Sequence, residues 1–188
     1  MSLSQVKQEI LETMLLNEKP MKAIAIASVS KKEFPPTMMH LLGLTKMGYV
    51  TSPEKGLYVI TERGKSALGV PEITKEKATA ILSYAAHEKA FNFYVTMGKP
   101  LSLHAHNLRD FANKLDKADL ASIEFHLQRG DFEAWFKMLG DEELAKKTAL
   151  LKRKNMVGED MRKQLRSIVE QRYLVLAKLA GQPIPTEQ

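Results

Sequence analysis

Cysteine is absent from this 188-residue chain. Its absence excludes a disulfide framework, thiolate catalysis and cysteine-ligated zinc. Long apolar runs are also missing, because no window approaches the roughly 18 consecutive apolar residues that a membrane span needs. The first residues lack a basic start followed by an apolar run, so no secretory signal is expected. These absences together predict a soluble cytoplasmic protein with no membrane partner.

Motifs for catalysis are absent as well. The chain has no glycine-rich phosphate loop, no G-x-S-x-G elbow, no H-E-x-x-H pair and no carboxylate cluster with metal-ligand spacing. No set of side chains supplies acid, base and nucleophile together. We therefore expect a protein that is not an enzyme and that needs no cofactor.

Basic residues exceed acidic ones. Lysine and arginine number 28 against 22 acidic residues, which gives a net charge of +6 and an isoelectric point near 9.4. An excess of this size is compatible with a nucleic-acid partner without requiring one. Whether the partner is a nucleic acid therefore depends on how the charge is distributed along the chain.

Residues 1–70 predict three helices followed by a hairpin and a short helix. Ser2 and Gln5 have capping-box spacing at the start of the first helix, and Pro35 suits the start of the third. Two β-branched and aromatic runs, 49–51 and 57–60, flank a charged turn. Thr61 is expected to cap the short helix. This order is typical of a winged helix-turn-helix domain.

Two segments carry a resemblance to a family. "HLLGLTKMGYV" at the end of the third helix and "YVITERGKSAL" after the hairpin are similar to the winged-helix domain of archaeal transcriptional regulators. The resemblance implies a third helix in the major groove of duplex DNA and a hairpin wing on its backbone. The DNA-contacting residues that it implies are Lys31, Lys32, Thr37, Met38, His40, Lys46 and Lys55.

Base-reading side chains are scarce in this region. Between Gln8 and Arg63 the only Arg, Asn or Gln is Asn17, which lies in the first connection. Lysines suit phosphates, whereas base edges are usually read by Arg, Asn or Gln. A protein-interaction adaptor, whose winged helix docks a protein, is therefore the alternative function.

Residues 71–181 predict an all-helical domain for sensing or oligomerisation, followed by a flexible tail, 182–188. Helices are expected at about 74–93, 102–115, 116–129, 132–139, 142–152 and 159–179, so the whole chain is expected to be mainly α. The segments "NLRDF", "SIEFHLQRGDFEAWF" and "GDEELA" resemble an uncharacterised helical domain of archaeal and bacterial proteins. That resemblance implies a fold and no function.

The turn near residue 130 is a candidate effector pocket. A polar pocket could form from His126, Arg129 and Asp131 against Trp135. The alternative is structural: Gly130 would end one helix, Asp131 would cap the next, and Trp135 would lie in the core or at an interface. His104, His106, His126 and Asp131 could ligate zinc, but their spacing fits no metal motif, so no metal is predicted.

A basic cluster between residues 146 and 172 is the strongest charge asymmetry. It is either a solvated face or a contact with a nucleic-acid backbone, which leaves an RNA-associated factor as a third reading. Its candidate contact residues are Lys152, Arg153, Lys154, Arg162, Lys163 and Arg166. The last helix carries an apolar stripe that either forms a homodimer interface or closes the core of its own domain.

Overall fold

The computed structural model describes residues 3–17 and 19–183. The chain divides into two compact units, residues 1–72 and 73–188, called here the N-terminal and C-terminal units. The prediction of a mainly helical chain is confirmed. The capping role predicted for Ser2 and the tail residues 184–188 lie outside the described residues.

In the described residues of the N-terminal unit, 3–17 and 19–72, there are four helices and three short strands. In chain order they are α1 (Gln5–Asn17), β1 (Met21–Lys22), α2 (Ala23–Val29), α3 (Phe34–Lys46), β2 (Val50–Thr51), β3 (Leu57–Ile60) and α4 (Glu62–Ala67). The strands form an antiparallel sheet in the order β1–β3–β2. The sequence pattern does not predict β1, because two residues are too few to show a period.

Local sequence explains where the N-terminal helices begin. Prolines occupy the first turn of α3, where their missing N–H groups cost nothing. Thr61 caps α4 as predicted, since its hydroxyl oxygen accepts a hydrogen bond from the backbone N–H of Gly64 at 3.0 Å. Apolar residues of α1, α2 and α3 are fully buried and form the core.

The C-terminal unit, as described over residues 73–183, combines six α-helices with a hairpin. Its elements are α5 (Lys75–Leu82), a 3-10 turn (His87–Lys89), β4 (Phe91–Thr96), β5 (Lys99–Ala105), α6 (Leu108–Leu115), α7 (Leu120–Arg129), α8 (Asp131–Met138), α9 (Glu142–Arg153) and α10 (Gly158–Ala180). The predicted all-helical domain is therefore wrong. Helix was expected at about 74–93 and 102–115, but α5 ends at Leu82, and residues 91–93 and 102–105 belong to the antiparallel pair β4–β5.

Aromatic packing explains why β4 is a strand. Phe91 and Phe93 are two positions apart on the strand, so both side chains face the core, where they are almost fully buried. The centre of the Phe91 ring lies 5.6 Å from that of Phe111 on α6 and 5.0 Å from that of Phe132 on α8. Gly98 adopts a positive φ of 75° at the hairpin turn, a conformation that glycine tolerates best.

The apolar stripe of α10 packs into its own unit. Leu165, Val169 and Leu176 are buried, and α10 packs on α5, α6 and α9. Of the two roles left open for this helix, the structure therefore shows the core role. Among residues 3–17 and 19–183, every helix is too short or too polar to cross a lipid bilayer.

Candidate functional site

Three of the lysines implied to contact DNA are exposed and lie around α3 and the β2–β3 turn. Lys31 precedes α3, Lys46 ends it, and Lys55 lies at the tip of the hairpin; all three are exposed. Lys31 adopts a positive φ of 54°, a conformation uncommon for a residue with a side chain. These three lysines carry charge that an incoming polyanion can reach.

Four other residues implied to contact DNA are less accessible. Thr37 is fully buried, and its hydroxyl donates to the carbonyl of Glu33 at 2.7 Å, so a direct contact with DNA is wrong for this residue. Lys32 forms an ion pair with Glu9 at 2.5 Å. Met38 is half-buried and accepts a weak hydrogen bond from the Tyr58 hydroxyl, while His40 is half-buried on α3.

An apolar surface lies beside the exposed lysines. Phe34, Met39 and Leu42 are exposed on α3, and Met39 reaches 69% exposure. An adjoining groove of about 520 Å³ is lined by apolar side chains and by two lysines: Ala23, Ile24, Phe34, Met38, Gly56, Leu57, Tyr58, Lys22 and Lys55. Sequence analysis missed this groove because it depends on β1 lying beside β3.

The basic cluster of α9 and α10 is partly neutralised within its own unit. Lys152 pairs with Glu133 at 2.7 Å, and Arg162 pairs with Glu159 at 3.2 Å. Arg166 pairs with Glu170 at 2.8 Å and also with Asp116.

The pKa of Arg166 is raised, chiefly by its hydrogen bond with Glu170 and further by the negative charges of Glu170 and Asp116. Lys154, Lys163 and Arg153 are exposed. Lys152, Arg162 and Arg166 are therefore committed to internal ion pairs, and the cluster is not a uniformly cationic face.

A cavity of about 430 Å³ opens in the C-terminal unit where the β4–β5 turn meets the α7–α8 corner. Three of the four predicted pocket residues, His126, Arg129 and Asp131, line it. Gly130 ends α7 with a positive φ of 78°, which confirms the predicted C-cap. The predicted N-cap role of Asp131 is wrong, because Gly130 occupies that position and Asp131 begins α8.

The His126 imidazole is held in one tautomer. Its Nε2 accepts the backbone N–H of Tyr94 at 2.8 Å, so Nδ1 carries the hydrogen that it donates to Asp131 at 2.7 Å. Burial lowers the pKa of His126, and this effect outweighs the hydrogen bond and charge of Asp131, which raise it. The ring is therefore neutral at physiological pH.

Arg129 lies at the edge of the cavity. Its Nε donates to Asp131 at 3.1 Å, and its guanidinium lies 5.1 Å from the centre of the Phe125 ring. Its side chain is 46% exposed. Asp131 therefore fixes both His126 and Arg129.

Trp135 lies in the core and is not among the residues that line the cavity. It is 7% exposed, stacks on Phe111 and donates its indole N–H to the carbonyl of Lys89 at 2.9 Å. The predicted pocket role of Trp135 is wrong, whereas Tyr94, Met97 and Phe125 line the cavity without having been predicted.

Three other histidines, His87, His104 and His106, lie near one another outside this cavity. His104 lies on β5, not on a helix, and its ring is 5.8 Å from that of His87; His106 stacks on Tyr84 at 4.4 Å. In the described part of the chain, no group of three or more histidine and acidic side chains is arranged to hold a metal ion.

No protein-family model matches the chain, and no curated protein or solved structure is significantly similar to it. The two family resemblances therefore rest on the sequence motifs alone.

Proposed function

We propose that the N-terminal unit is a winged helix that binds duplex DNA and that the protein is a transcriptional regulator. The observation that carries this proposal is the arrangement of the three exposed lysines. Lys31 and Lys46 flank the third helix, and Lys55 lies at the tip of the hairpin. In a winged helix the third helix enters the major groove and the wing contacts the backbone, so lysines near both elements can reach phosphates.

The element order of the N-terminal unit supports the winged-helix assignment. A short strand between α1 and α2 pairs with β3, and the β2–β3 hairpin follows α3 directly. The hairpin tip, residues 52–56, is exposed and includes Lys55.

The side chains of α3 indicate weak sequence selectivity. The helix FPPTMMHLLGLTK contains no Arg, Asn or Gln, so it lacks the side chains that make bidentate contacts with bases. Lysines supply point charges to phosphates, and exposed apolar groups such as Met39 can contact thymine methyl groups. We therefore expect phosphate contacts to supply most of the affinity.

Fluorescence anisotropy with the full-length protein and mixed genomic duplexes tests the proposal. Binding that weakens steeply with added salt is the expected result, because each phosphate contact releases counterions. A fragment that competes better than bulk DNA would establish a regulator with an operator. Absence of binding at about 50 mM salt would refute the proposal.

A protein-interaction adaptor is the second candidate function, and the apolar groove beside α3 favours it. Ile24 is 57% exposed and Phe34 42% exposed, and both line this groove. Surface apolar groups clustered in this way are common at protein interfaces. If duplex DNA does not bind, the groove becomes the better guide to function.

Homodimerisation is the remaining part of the proposal, since symmetric operators are bound by dimers. The α10 stripe is buried within its own unit, so another surface has to form the interface. Sedimentation equilibrium is the direct test, and a monomer at about 100 µM would refute the dimer.

A further inference from the structure

We propose that the 430 Å³ cavity of the C-terminal unit binds a small carboxylate with a flat apolar body. Its volume falls in the range of about 300–1,000 Å³ that small-molecule sites occupy. The inference concerns the C-terminal unit alone and goes beyond DNA binding by the N-terminal unit.

The walls of the cavity select a flat apolar body. Phe91 and Tyr94 come from β4, and Phe125 comes from α7. Aromatic rings favour offset or edge contacts with another ring, which add to the free energy of burying its surface. Met97 provides a flexible, polarisable side chain at the hairpin turn.

Arg129 supplies the group that recognises a carboxylate. Asp131 holds its Nε, and among the described residues its Nη1 meets only the weakly accepting sulfur of Met97, at 3.3 Å. The planar guanidinium has five N–H donors, so it keeps donors for a ligand. Its position over the Phe125 ring and its contact with Asp131 reduce the entropy lost when an anion binds.

The other polar groups of the cavity do not oppose an anion strongly. His126 is neutral because both of its ring nitrogens are committed. The same Asp131 oxygen accepts hydrogen bonds from His126 and Arg129, so this oxygen is already engaged within the protein. Arg129 is the one cation among the described residues that line the cavity.

The protein contains its own reporter of ligand binding. Trp135 is the single tryptophan of the chain. Its ring lies 5.6 Å from that of Phe91, which lines the cavity. A ligand that packs on Phe91 changes the surroundings of the indole and thereby its fluorescence.

Two probes of nearly the same shape test the proposal. The full-length protein is titrated with phenylacetate and with phenylacetamide, and binding is followed by Trp135 fluorescence and by ligand-detected NMR. We expect saturable binding of phenylacetate and at least about tenfold weaker binding of phenylacetamide, because hydrogen bonds to an ionised group are about twice as strong as neutral ones.

Substitutions at Arg129 assign the preference to this side chain. In Arg129→Gln the two probes should bind with equal affinity, and Arg129→Lys should restore part of the preference because it restores the charge. Arg109→Gln is the matched control, since Arg109 is exposed and lines a different hollow, beside Tyr173. It should retain the full preference.

Three results would overturn the proposal. The first is that phenylacetate shows no saturable binding up to about 10 mM. The second is that the natural chain binds both probes with equal affinity, and the third is that Arg129→Gln keeps the full preference for phenylacetate over phenylacetamide. DNA binding is not measured in this experiment, so its outcome is independent of the function proposed for the N-terminal unit.

Discussion

Arg172 and Asp141 form a buried ion pair that joins α10 to the start of α9. The guanidinium Nε lies 2.9 Å from Asp141 Oδ2, and Nη1 lies 2.8 Å from Glu143. Lys147 pairs with Glu143 at 2.8 Å, so two cations and two carboxylates share one buried site. Asp141 also caps α9 through the N–H of Leu144. Asp141, at the turn between α8 and α9, thus holds α10 against the start of α9.

Asp141→Asn should destabilise the C-terminal unit by about 3–5 kcal/mol. The substitution removes the Asp141 carboxylate that pairs with the buried Arg172 guanidinium. Asparagine keeps an oxygen that can cap α9, so the loss reports the ion pair. Urea denaturation followed by Trp135 fluorescence measures it.

Asp119→Asn is the control for this substitution. Asp119 is exposed and makes no capping hydrogen bond, so its replacement should change the free energy of unfolding by less than about 0.5 kcal/mol. Adding Arg172→Met to Asp141→Asn should recover part of the lost stability, since Glu143 and Lys147 still balance each other. A loss in Asp141→Asn no greater than in the control would contradict the role assigned to this pair.

Gly64→Ala should destabilise the N-terminal unit by about 1–3 kcal/mol. A Cβ at Gly64 would overlap the carbonyl oxygen of Tyr49 and lie 2.8 Å from Cγ1 of Ile60. Gly43→Ala is the matched control, because Gly43 is also helical and its Cβ would meet only the flexible end of Lys7.

Gly43→Ala should be neutral or stabilising by up to about 1 kcal/mol, since alanine favours helix. Hydrogen exchange of the α1 and α3 amides distinguishes the two variants. Equal protection in both would show that the close approach of α4 to Tyr49 is not required.

The free energy of unfolding should decrease as the pH is lowered through the titration of His126. Its folded pKa lies below the ordinary value of 6.5 because the ring is buried. The unfolded chain therefore binds more protons in the window below 6.5, and the folded state is stabilised above that window and destabilised as the pH falls through it. The slope reaches at most about 1.4 kcal/mol per pH unit.

Urea denaturation at pH 7.5 and at pH 5.5 tests this dependence in the natural chain and in His126→Gln. The glutamine variant should be less stable at pH 7.5 and should lose less stability on acidification. His40→Gln serves as the control histidine variant. An unchanged pH dependence in His126→Gln would contradict the buried neutral imidazole.

Sequence reasoning succeeds for several features that depend on neighbouring residues, although the equally local N-cap prediction for Asp131 is wrong. The Gly130 C-cap, the Thr61 N-cap and the proline start of α3 are all local, and each is present in the structure. The residues His126, Arg129 and Asp131 are likewise close in sequence, so a polar site could be inferred at that corner.

Features that depend on distant contacts were missed. The segment before residue 93 carries apolar residues compatible with helix, and only the packing of Phe91 and Phe93 on α6 and α8 selects strand. For Trp135 the sequence left both a pocket wall and a core position open, and its stacking on Phe111 of α6 selects the core position. Tyr94 reaches the cavity only through the hairpin topology, which local periodicity does not reveal.

The lysine arrangement around α3 gives the most direct test of DNA binding. The measurement is the slope of log affinity against log salt for a duplex, compared among the natural chain, Lys55→Ala, Lys31→Ala and a control, Lys117→Ala, whose exposed lysine lies in the other unit. Each of the first two substitutions should reduce the magnitude of the slope by about 0.9, one phosphate contact, and the control should leave it unchanged. Equal slopes in all four proteins would contradict a DNA-binding winged helix.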